Sequence, residues 1–149
     1  MLISSLQFHI LPEPPTAKML TAFRKDAGWS ISINEGTLHD LKANVQWAAV
    51  ESGQRRLGIV RLELAPPEFC YVGDLIINSK FRGQGIGQWF IQRIEQYCRT
   101  VGIKRMMLQP EHGTEDFYAR LSFTRDPYVP NFLRKDINPL LPRMFLPQS

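Results

Sequence analysis

The segment Arg82-Gly83-Gln84-Gly85-Ile86-Gly87 combines a cation with three alternating glycines, a pattern suited to binding an anion. An apolar run ending at Ile77 precedes it and a helical pattern follows it, so the segment is predicted to join a strand to a helix. The first turn of a helix leaves backbone N–H groups without an intrahelical partner, and the helix dipole adds positive potential there. Because glycines let a phosphate approach these groups without meeting a Cβ atom, the sequence predicts a phosphate-binding turn.

Two other phosphate-binding patterns fit this segment poorly. A Walker A loop requires Lys and then Ser or Thr after its last glycine, whereas Gln88 and Trp89 follow here. A dinucleotide fingerprint spaces its glycines G-x-G-x-x-G, whereas the spacing here is G-x-G-x-G. The turn also lies in the second half of the chain, so too little sequence follows it for the rest of a doubly wound fold.

Alternating and helical hydrophobic patterns predict the elements that must position this turn. We expect strands over residues 5–11, 45–50, 57–64, 71–77, 105–109, 122–125 and 132–135, and helices over residues 16–27, 35–42, 85–101 and 116–121. Residues 51–54, Glu-Ser-Gly-Gln, are predicted to close a hairpin between the second and third strands. The order β-α-α-β-β-β-α-β-α-β-β predicts an α+β protein with a mixed sheet.

Composition places the chain among ordinary globular proteins. Its 149 residues, 44% hydrophobic and 21% charged, predict one domain over residues 1–149. The longest apolar runs are far shorter than the roughly 18 residues of a membrane span, and no basic residue precedes the apolar start, so we expect neither membrane insertion nor a secretory signal. Cys70 and Cys98 lack metal-ligand spacing, so we expect no metal, no disulfide and a cytoplasmic location. The net charge of +4 is scattered, which favours a solvated surface over nucleic-acid binding.

Three segments resemble the GNAT superfamily of acetyl-CoA-dependent N-acetyltransferases. Arg82-x-x-Gly85-x-Gly87 resembles the family signature R/Q-x-x-G-x-G/A, and residues 74–77, Asp-Leu-Ile-Ile, resemble the family's fourth strand. Residues 117–123, Phe-Tyr-Ala-Arg-Leu-Ser-Phe, resemble its F-Y-x-x-x-G-F motif. The resemblance covers most of the chain from about residue 45 onward. It implies a mixed central sheet of six to seven strands with about four helices, splayed between the fourth and fifth strands.

The resemblance also implies a cofactor site for acetyl-CoA. In the family, successive backbone amides of the turn bind the pyrophosphate of coenzyme A, and the fourth strand pairs with the pantetheine arm and helps to polarise the thioester. The residues implied here are Leu75, Ile76, Ile77, Arg82, Gly83, Gln84, Gly85, Ile86, Gly87 and Gln88. Two positions depart from the family pattern, since Ser122 replaces a glycine and Glu111 replaces an asparagine that many members carry.

Acetyl transfer to an amine needs a base, an oxyanion site and an acid. A lysine-type amine with a pKa near ~10.4 is neutral in only about one molecule in 2,500 at pH 7, so a base is expected to help. Asp74 is the first candidate, and Glu63 and Glu111 are alternatives. By its motif position, Tyr118 is implied to protonate the leaving thiolate. Backbone N–H groups near residues 76–77 are candidates for stabilising the oxyanion.

The function expected from these features is transfer of the acetyl group of acetyl-CoA to a primary amine of a small molecule or a protein. Direct attack in a ternary complex is expected because Cys70 and Cys98 lack a paired base that would make either one a nucleophile. Two alternatives remain open: a non-catalytic regulatory module that binds acetyl-CoA, and an acetylating toxin that acts on aminoacyl-tRNA. Many such domains dimerise, so a homodimer is left open as well.

Overall fold

Seven strands form one mixed sheet in the computed structural model, which describes residues 2–29 and 44–140. The strands are β1 Leu6–Ile10, β2 Asn44–Ser52, β3 Arg55–Ala65, β4 Phe69–Ile77, β5 Arg105–Leu108, β6 Thr124–Arg125 and β7 Leu133–Asp136, in the spatial order β1-β2-β3-β4-β5-β7-β6. The α-helices of the described residues are α1 Ala17–Asp26, α2 Ile86–Thr100 and α3 Glu115–Arg120. Short 3-10 helices span Leu2–Ser5 and Ser79–Phe81.

The predicted α+β class and seven-stranded mixed sheet are confirmed. The helix predicted over residues 35–42 lies outside the described residues. The strand predicted to begin at Tyr71 begins earlier, because Phe69 already pairs with Ala65 next to the turn that joins β3 and β4. In the described part of the chain, no helix has both the length and the apolar character needed to cross a membrane.

The sheet is split between its fourth and fifth strands. Strands β1 to β4 form an antiparallel meander, whereas β4 and β5 run parallel and pair only at Cys70–Met106 and Tyr71–Met107. Strand β4 continues to Ile77, so its second half has no β5 partner. The predicted splay is therefore confirmed, and it leaves backbone groups of β4 facing a gap.

Helices α1 and α2 cover separate hydrophobic clusters of the sheet. The apolar stripe of α2, including Phe90 and Ile94, belongs to the larger cluster of buried residues. Leu20 and Phe23 of α1 form a smaller cluster with Trp47, Ile59 and Ile76. Strand β3 is buried continuously over residues 57–64, as expected for a strand with both faces covered. This packing holds the carboxyl end of β4 between the two helices.

Candidate active site

Strand β4 contains a bulge at the point where the sheet splits. Ile59 pairs with Ile76 and Arg61 pairs with Gly73, so two steps along β3 correspond to three steps along β4. The extra residue falls at Asp74 and Leu75, and Asp74 has a left-handed backbone with φ of 48°. A bulge breaks the regular ladder and turns the local backbone, which suits a strand that must present its groups to a ligand.

The glycine-rich turn lies directly after β4 and opens α2. Gly85 is the N-cap residue of α2, with φ of 81° and no side chain to cap the helix. The N–H groups of the first helical turn are thus left for an external acceptor, as an anion site requires. Gly87 faces α3, since a Cβ atom there would lie 3.4 Å from Cζ of Phe117.

Polar contacts tie the turn to the end of α1. Both oxygens of the Asp26 carboxylate accept hydrogen bonds from Ser79, one from its backbone N–H at 2.8 Å and one from its hydroxyl at 2.6 Å. Arg82 donates from Nε to the Ile77 carbonyl at 3.0 Å, and its guanidinium lies 3.8 Å from Asp26. Because the Arg82 side chain remains 48% exposed, its charge is still available to an anion at the turn.

Two cavities with shared lining residues lie along the part of β4 that has no β5 partner. The first, here called the strand cavity, has a volume of about 550 Å³ and is lined by Arg61 and by residues 71–75 of β4. The second, here called the turn cavity, has a volume of about 610 Å³ and is lined by residues 75–77 and by the glycine-rich turn. Both cavities are also lined by Gly28, Trp29, Leu75, Glu111 and Tyr118. These shared residues mark where molecules in the two cavities would meet.

All but one of the residues implied to bind the cofactor line the turn cavity. They are Leu75, Ile76, Ile77, Arg82, Gly83, Gly85, Ile86, Gly87 and Gln88. Gln84 is exposed and does not line it. Their roles in binding remain predictions, but the fold brings them to one cavity.

Tyr118 lies on α3 at the junction of the two cavities. Its ring packs edge-on between Phe117 and Phe123, at centroid distances of 5.0 and 5.6 Å. Burial, with a smaller contribution from the Glu111 carboxylate, raises the pKa of the Tyr118 hydroxyl well above its usual value. The side chain is therefore held protonated beside the other residues that line both cavities.

Asp74 is held in a buried ion network rather than presented as a free carboxylate. Arg24 of α1 donates from Nε to Oδ1 and from Nη2 to Oδ2, both at 2.9 Å, and Arg61 donates to Oδ2 from the other side. The Asp74 side chain is only 3% exposed. With both oxygens engaged by guanidinium groups, Asp74 is poorly placed to accept a proton from an amine.

The other two candidate carboxylates differ in position. Glu63 is buried, and its burial raises the pKa of its carboxyl group in spite of Arg61 at 3.9 Å. It is absent from the lining of both cavities. Glu111 lines both cavities beside Tyr118 and is exposed at the mouth of the gap. Of the three candidate carboxylates, Glu111 is therefore the one that is both exposed and part of the lining of both cavities.

Ser122 takes the backbone conformation that a glycine would take at the same place. It ends α3 with φ of 73°, and the N–H groups of Ser122 and Phe123 return to the carbonyls of Ala119 and Tyr118, both at 3.0 Å. This is the hydrogen-bond pattern of a Schellman cap, which favours glycine. At this departure from the family motif, the serine therefore adopts a backbone conformation that a glycine would favour.

A mixed sheet split between its fourth and fifth strands, with a glycine-rich turn between the fourth strand and a helix, defines a recognisable class of α+β domain. A family model described as the GNAT family of acetyltransferases matches residues 8–123. The chain belongs to this family, which confirms the resemblance seen in the sequence.

Solved structures of low sequence identity share the fold. Tetrahymena GCN5 superimposes with a TM-score of 0.71 at 13% identity, covering 91% of this chain and 98% of its own. A GNAT family acetyltransferase from Elizabethkingia anophelis with acetyl-CoA bound gives a TM-score of 0.67 at 13% identity, covering 89% and 99%. An acetyltransferase from Streptococcus agalactiae gives 0.66 at 13% identity over the same shares.

Several residues around the cavities were missed from sequence. Gly28 and Trp29 line both cavities although they follow α1, far from the family motifs. Arg24 and Arg61 complete the ion network of Asp74. One signal was available for Arg61 and Glu63, because charged residues in a long apolar strand are usually buried only when paired. Nothing in the helical pattern of α1 distinguishes Arg24 from a solvated arginine.

Proposed function

We propose that the protein transfers the acetyl group of acetyl-CoA to a primary amine by direct attack in a ternary complex. The observation that carries this proposal is the meeting of the strand and turn cavities at Leu75, Glu111 and Tyr118. A thioester lying in the turn cavity and an amine lying in the strand cavity would touch at this junction. Such an arrangement lowers the entropic cost of bringing two reactants together.

The donor is proposed to be held mainly by its pyrophosphate. The N–H groups at the start of α2 and the exposed Arg82 supply the positive potential, and Gly83 and Gly85 leave room for the phosphates. The pantetheine arm would then follow β4 from Ile77 towards Leu75, where no β5 strand competes for its backbone groups. Backbone N–H groups near Ile76 are proposed to stabilise the oxyanion.

Proton transfer is proposed to involve Glu111 and Tyr118. Glu111, directly or through a water, takes a proton from the acceptor ammonium, and the neutral nitrogen attacks the thioester carbon. The C–S bond breaks as the C–N bond forms, and Tyr118 gives its proton to the departing sulfur. The second proton of the product nitrogen then passes to the Tyr118 oxygen, directly or through a water, and Glu111 releases the first proton to solvent. Glu111 replaces Asp74 as the proposed base because both oxygens of Asp74 already accept hydrogen bonds from arginines.

The acceptor is proposed to be a cation before it reacts. Glu111 forms no ion pair within the described residues, and Trp29 and Tyr71 add aromatic surface to the strand cavity. A carboxylate and aromatic faces together suit a protonated amine on a small molecule or a protein. The proposed compartment is the cytoplasm, since both cysteines are free and buried.

An acetylation assay over a panel of amines tests this proposal. The purified protein would be given acetyl-CoA with polyamines, amino acids, lysine peptides, N-terminal peptides or aminoacyl-tRNA, and products would be identified by mass. We expect a mass increase of one acetyl group on at least one amine, with release of free coenzyme A. Tight binding of acetyl-CoA without transfer to any class of amine would instead favour a non-catalytic regulatory module.

A further inference from the structure

The bulge in β4 is fixed by buried charges rather than by the sheet ladder alone. At the bulge, Asp74 has a left-handed backbone, an uncommon conformation for a residue with a Cβ atom, although aspartate tolerates it better than most. Three hydrogen bonds reach its carboxylate, two from Arg24 and one from Arg61. The arginines approach from different elements, α1 and β3, so the carboxylate is clamped from two directions.

We propose that Arg24 and Arg61 are positioning residues, which act through Asp74 to hold the β4 bulge in the geometry that receives the acetyl thioester. This inference rests on the proposed function. The residue after Asp74 is Leu75, which lines both cavities, so a shift of the bulge moves the backbone at their junction. The two arginines would touch neither substrate at the reacting atoms.

The contacts of Arg24 and Arg61 with Asp74 are buried. The side chains of Arg24, Asp74 and Arg61 are 8%, 3% and 10% exposed, so little water competes for their hydrogen bonds. Arg61 is further confined because its guanidinium carbon lies 6.0 Å from the Trp47 ring centroid. Gly73 belongs to the same arrangement, since a Cβ atom there would clash with the Arg61 guanidinium. Several features of the sequence therefore serve the placement of this one carboxylate.

Arg24 also connects the bulge to a wall of both cavities. Helix α1 ends at Asp26, and Gly28 and Trp29, which follow it, line the strand cavity and the turn cavity. The Trp29 N–H donates to the Arg24 carbonyl at 2.9 Å. Arg24 therefore contacts Asp74 at the bulge through its side chain and Trp29 in the lining of both cavities through its backbone carbonyl.

The test compares Arg24→Met with a matched control, Arg56→Met. Arg56 is also an arginine in an ion pair, with Glu51 at 3.0 Å, and it also contacts α1 by donating to the sulfur of Met19 at 3.0 Å, but it does not reach Asp74. For each protein, calorimetry would give the Kd of coenzyme A, and infrared difference spectra would give the carbonyl stretch of bound ¹³C-labelled acetyl-CoA. Single-turnover rates would be measured with the best amine of the panel.

We expect Arg24→Met to keep the Kd of coenzyme A within about threefold of wild type, because the phosphate turn is separate from the bulge. Its single-turnover rate should fall about 10- to 100-fold, the scale of a small misplacement of reacting groups. The carbonyl stretch should return towards its frequency in water, because the polarising backbone has moved. Arg56→Met should match wild type in all three measurements.

An unchanged carbonyl stretch and rate in a folded Arg24→Met protein would overturn the inference while leaving the proposed function intact. Absence of acetyl-CoA binding by the wild type would remove both. Arg24→Lys serves if the methionine variant does not fold, because it keeps the charge but loses the two-point contact with Asp74. An Arg24→Lys protein with a wild-type carbonyl stretch and rate would equally overturn the inference.

Discussion

At the scale of single residues, Tyr118 has a position suited to an acid but is a weak proton donor. Burial raises the pKa of its hydroxyl, so it keeps its proton throughout the ordinary pH range. An ordinary tyrosine has a pKa about 1.5 above that of a thiol, which is near ~8.5, so transfer of its proton to a thiolate is already unfavourable. The raised pKa of Tyr118 makes this proton transfer less favourable still. Its benefit must therefore come from position and from charge that develops on sulfur.

We predict that Tyr118→Phe lowers kcat by about tenfold, at the low end of general-acid effects. The KM for acetyl-CoA should change little, because the turn at α2, and not Tyr118, is proposed to hold the pyrophosphate. A loss confined to kcat marks an interaction made in the transition state. Steady-state kinetics check the split, and single-turnover rates exclude limitation by product release. Wild-type single-turnover rates in the variant would assign Tyr118 to packing between Phe117 and Phe123.

Substitutions of Glu111 and Asp74 are expected to affect the pH dependence of the rate differently, because only Glu111 is proposed to act as the base. We predict that Glu111→Gln lowers kcat/KM at pH 7 by about 100-fold, within the range of general-base effects, and that raising the pH partly restores it by deprotonating the amine directly. Asp74→Asn should alter binding geometry and stability without changing the shape of the pH profile. A wild-type pH profile for Glu111→Gln, with an altered one for Asp74→Asn, would return the base to Asp74.

The sequence alone could single out Gly83, Gly85 and Tyr118, which line the turn cavity, because each belongs to a local motif with a defined spacing. It could not predict that Asp74 is engaged by Arg24, fifty residues away on another element. Asp74 was chosen as the base because of its place on β4, and that place is confirmed. The choice did not take account of the two arginines that the tertiary fold brings to its carboxylate. Buried ion networks are in general invisible to patterns of local spacing.

At the scale of elements, most helices and strands followed from hydrophobic periodicity because each buries one face or, for β3, both. The bulge in β4 had no such signal, since a single extra residue does not disturb an apolar run. At the end of α3, by contrast, the sequence did contain a visible signal. Ser122 stands where the family motif has a glycine, yet the serine adopts a left-handed conformation, with hydrogen bonds back to Tyr118 and Ala119.

We predict that Ser122→Gly stabilises the protein by about 0.5–1 kcal/mol, because a left-handed conformation costs a residue with a Cβ atom roughly 1–2 kcal/mol and the added flexibility of glycine offsets part of the gain. Urea unfolding at neutral pH measures the difference. Thr124→Ser is the control for non-specific effects on stability, because Thr124 is exposed. Ser79→Gly would not serve, because it removes the hydrogen bond between the Ser79 hydroxyl and Asp26. A loss of stability in Ser122→Gly would mean that the serine hydroxyl contributes more than its backbone costs.

At the scale of the whole molecule, buried charge makes stability depend on pH. Burial raises the pKa of Glu63, with Arg61 opposing and Asp74 reinforcing the shift. The folded state thus binds this proton more tightly than the unfolded chain, whose carboxyl group has a pKa near 4.5. The stability that Glu63 contributes is full below that value and is lost as pH rises through the folded pKa.

We predict that Glu63→Gln, which cannot ionise, becomes more stable relative to wild type as pH rises from 4 to 7. Urea unfolding at several pH values gives the free energy of unfolding of both proteins. The difference between them should grow with pH across this window and then level off. A difference that shrinks with rising pH would show that the pair with Arg61 dominates and that Glu63 is better stabilised as an anion than its burial suggests.

Ligand binding provides the last prediction at this scale, because the groups proposed to contact acetyl-CoA come together only in the folded chain. The turn cavity joins β4, the start of α2 and α3, so the unfolded chain has no comparable site. At a free concentration about 100 times its Kd, the ligand should add about 2.7 kcal/mol of stability. For a domain of this size, that corresponds to a rise in Tm of about 5–10 °C.

Gly85→Asp should abolish the rise, because its carboxylate repels the pyrophosphate at the N-cap of α2 and its Cβ blocks the approach. Thermal unfolding with and without ligand measures both effects, and the unliganded Tm of the variant shows whether it still folds. Stabilisation by ATP or NADH but not by acetyl-CoA would contradict the proposed cofactor, and full stabilisation of Gly85→Asp by acetyl-CoA would contradict the role of the turn.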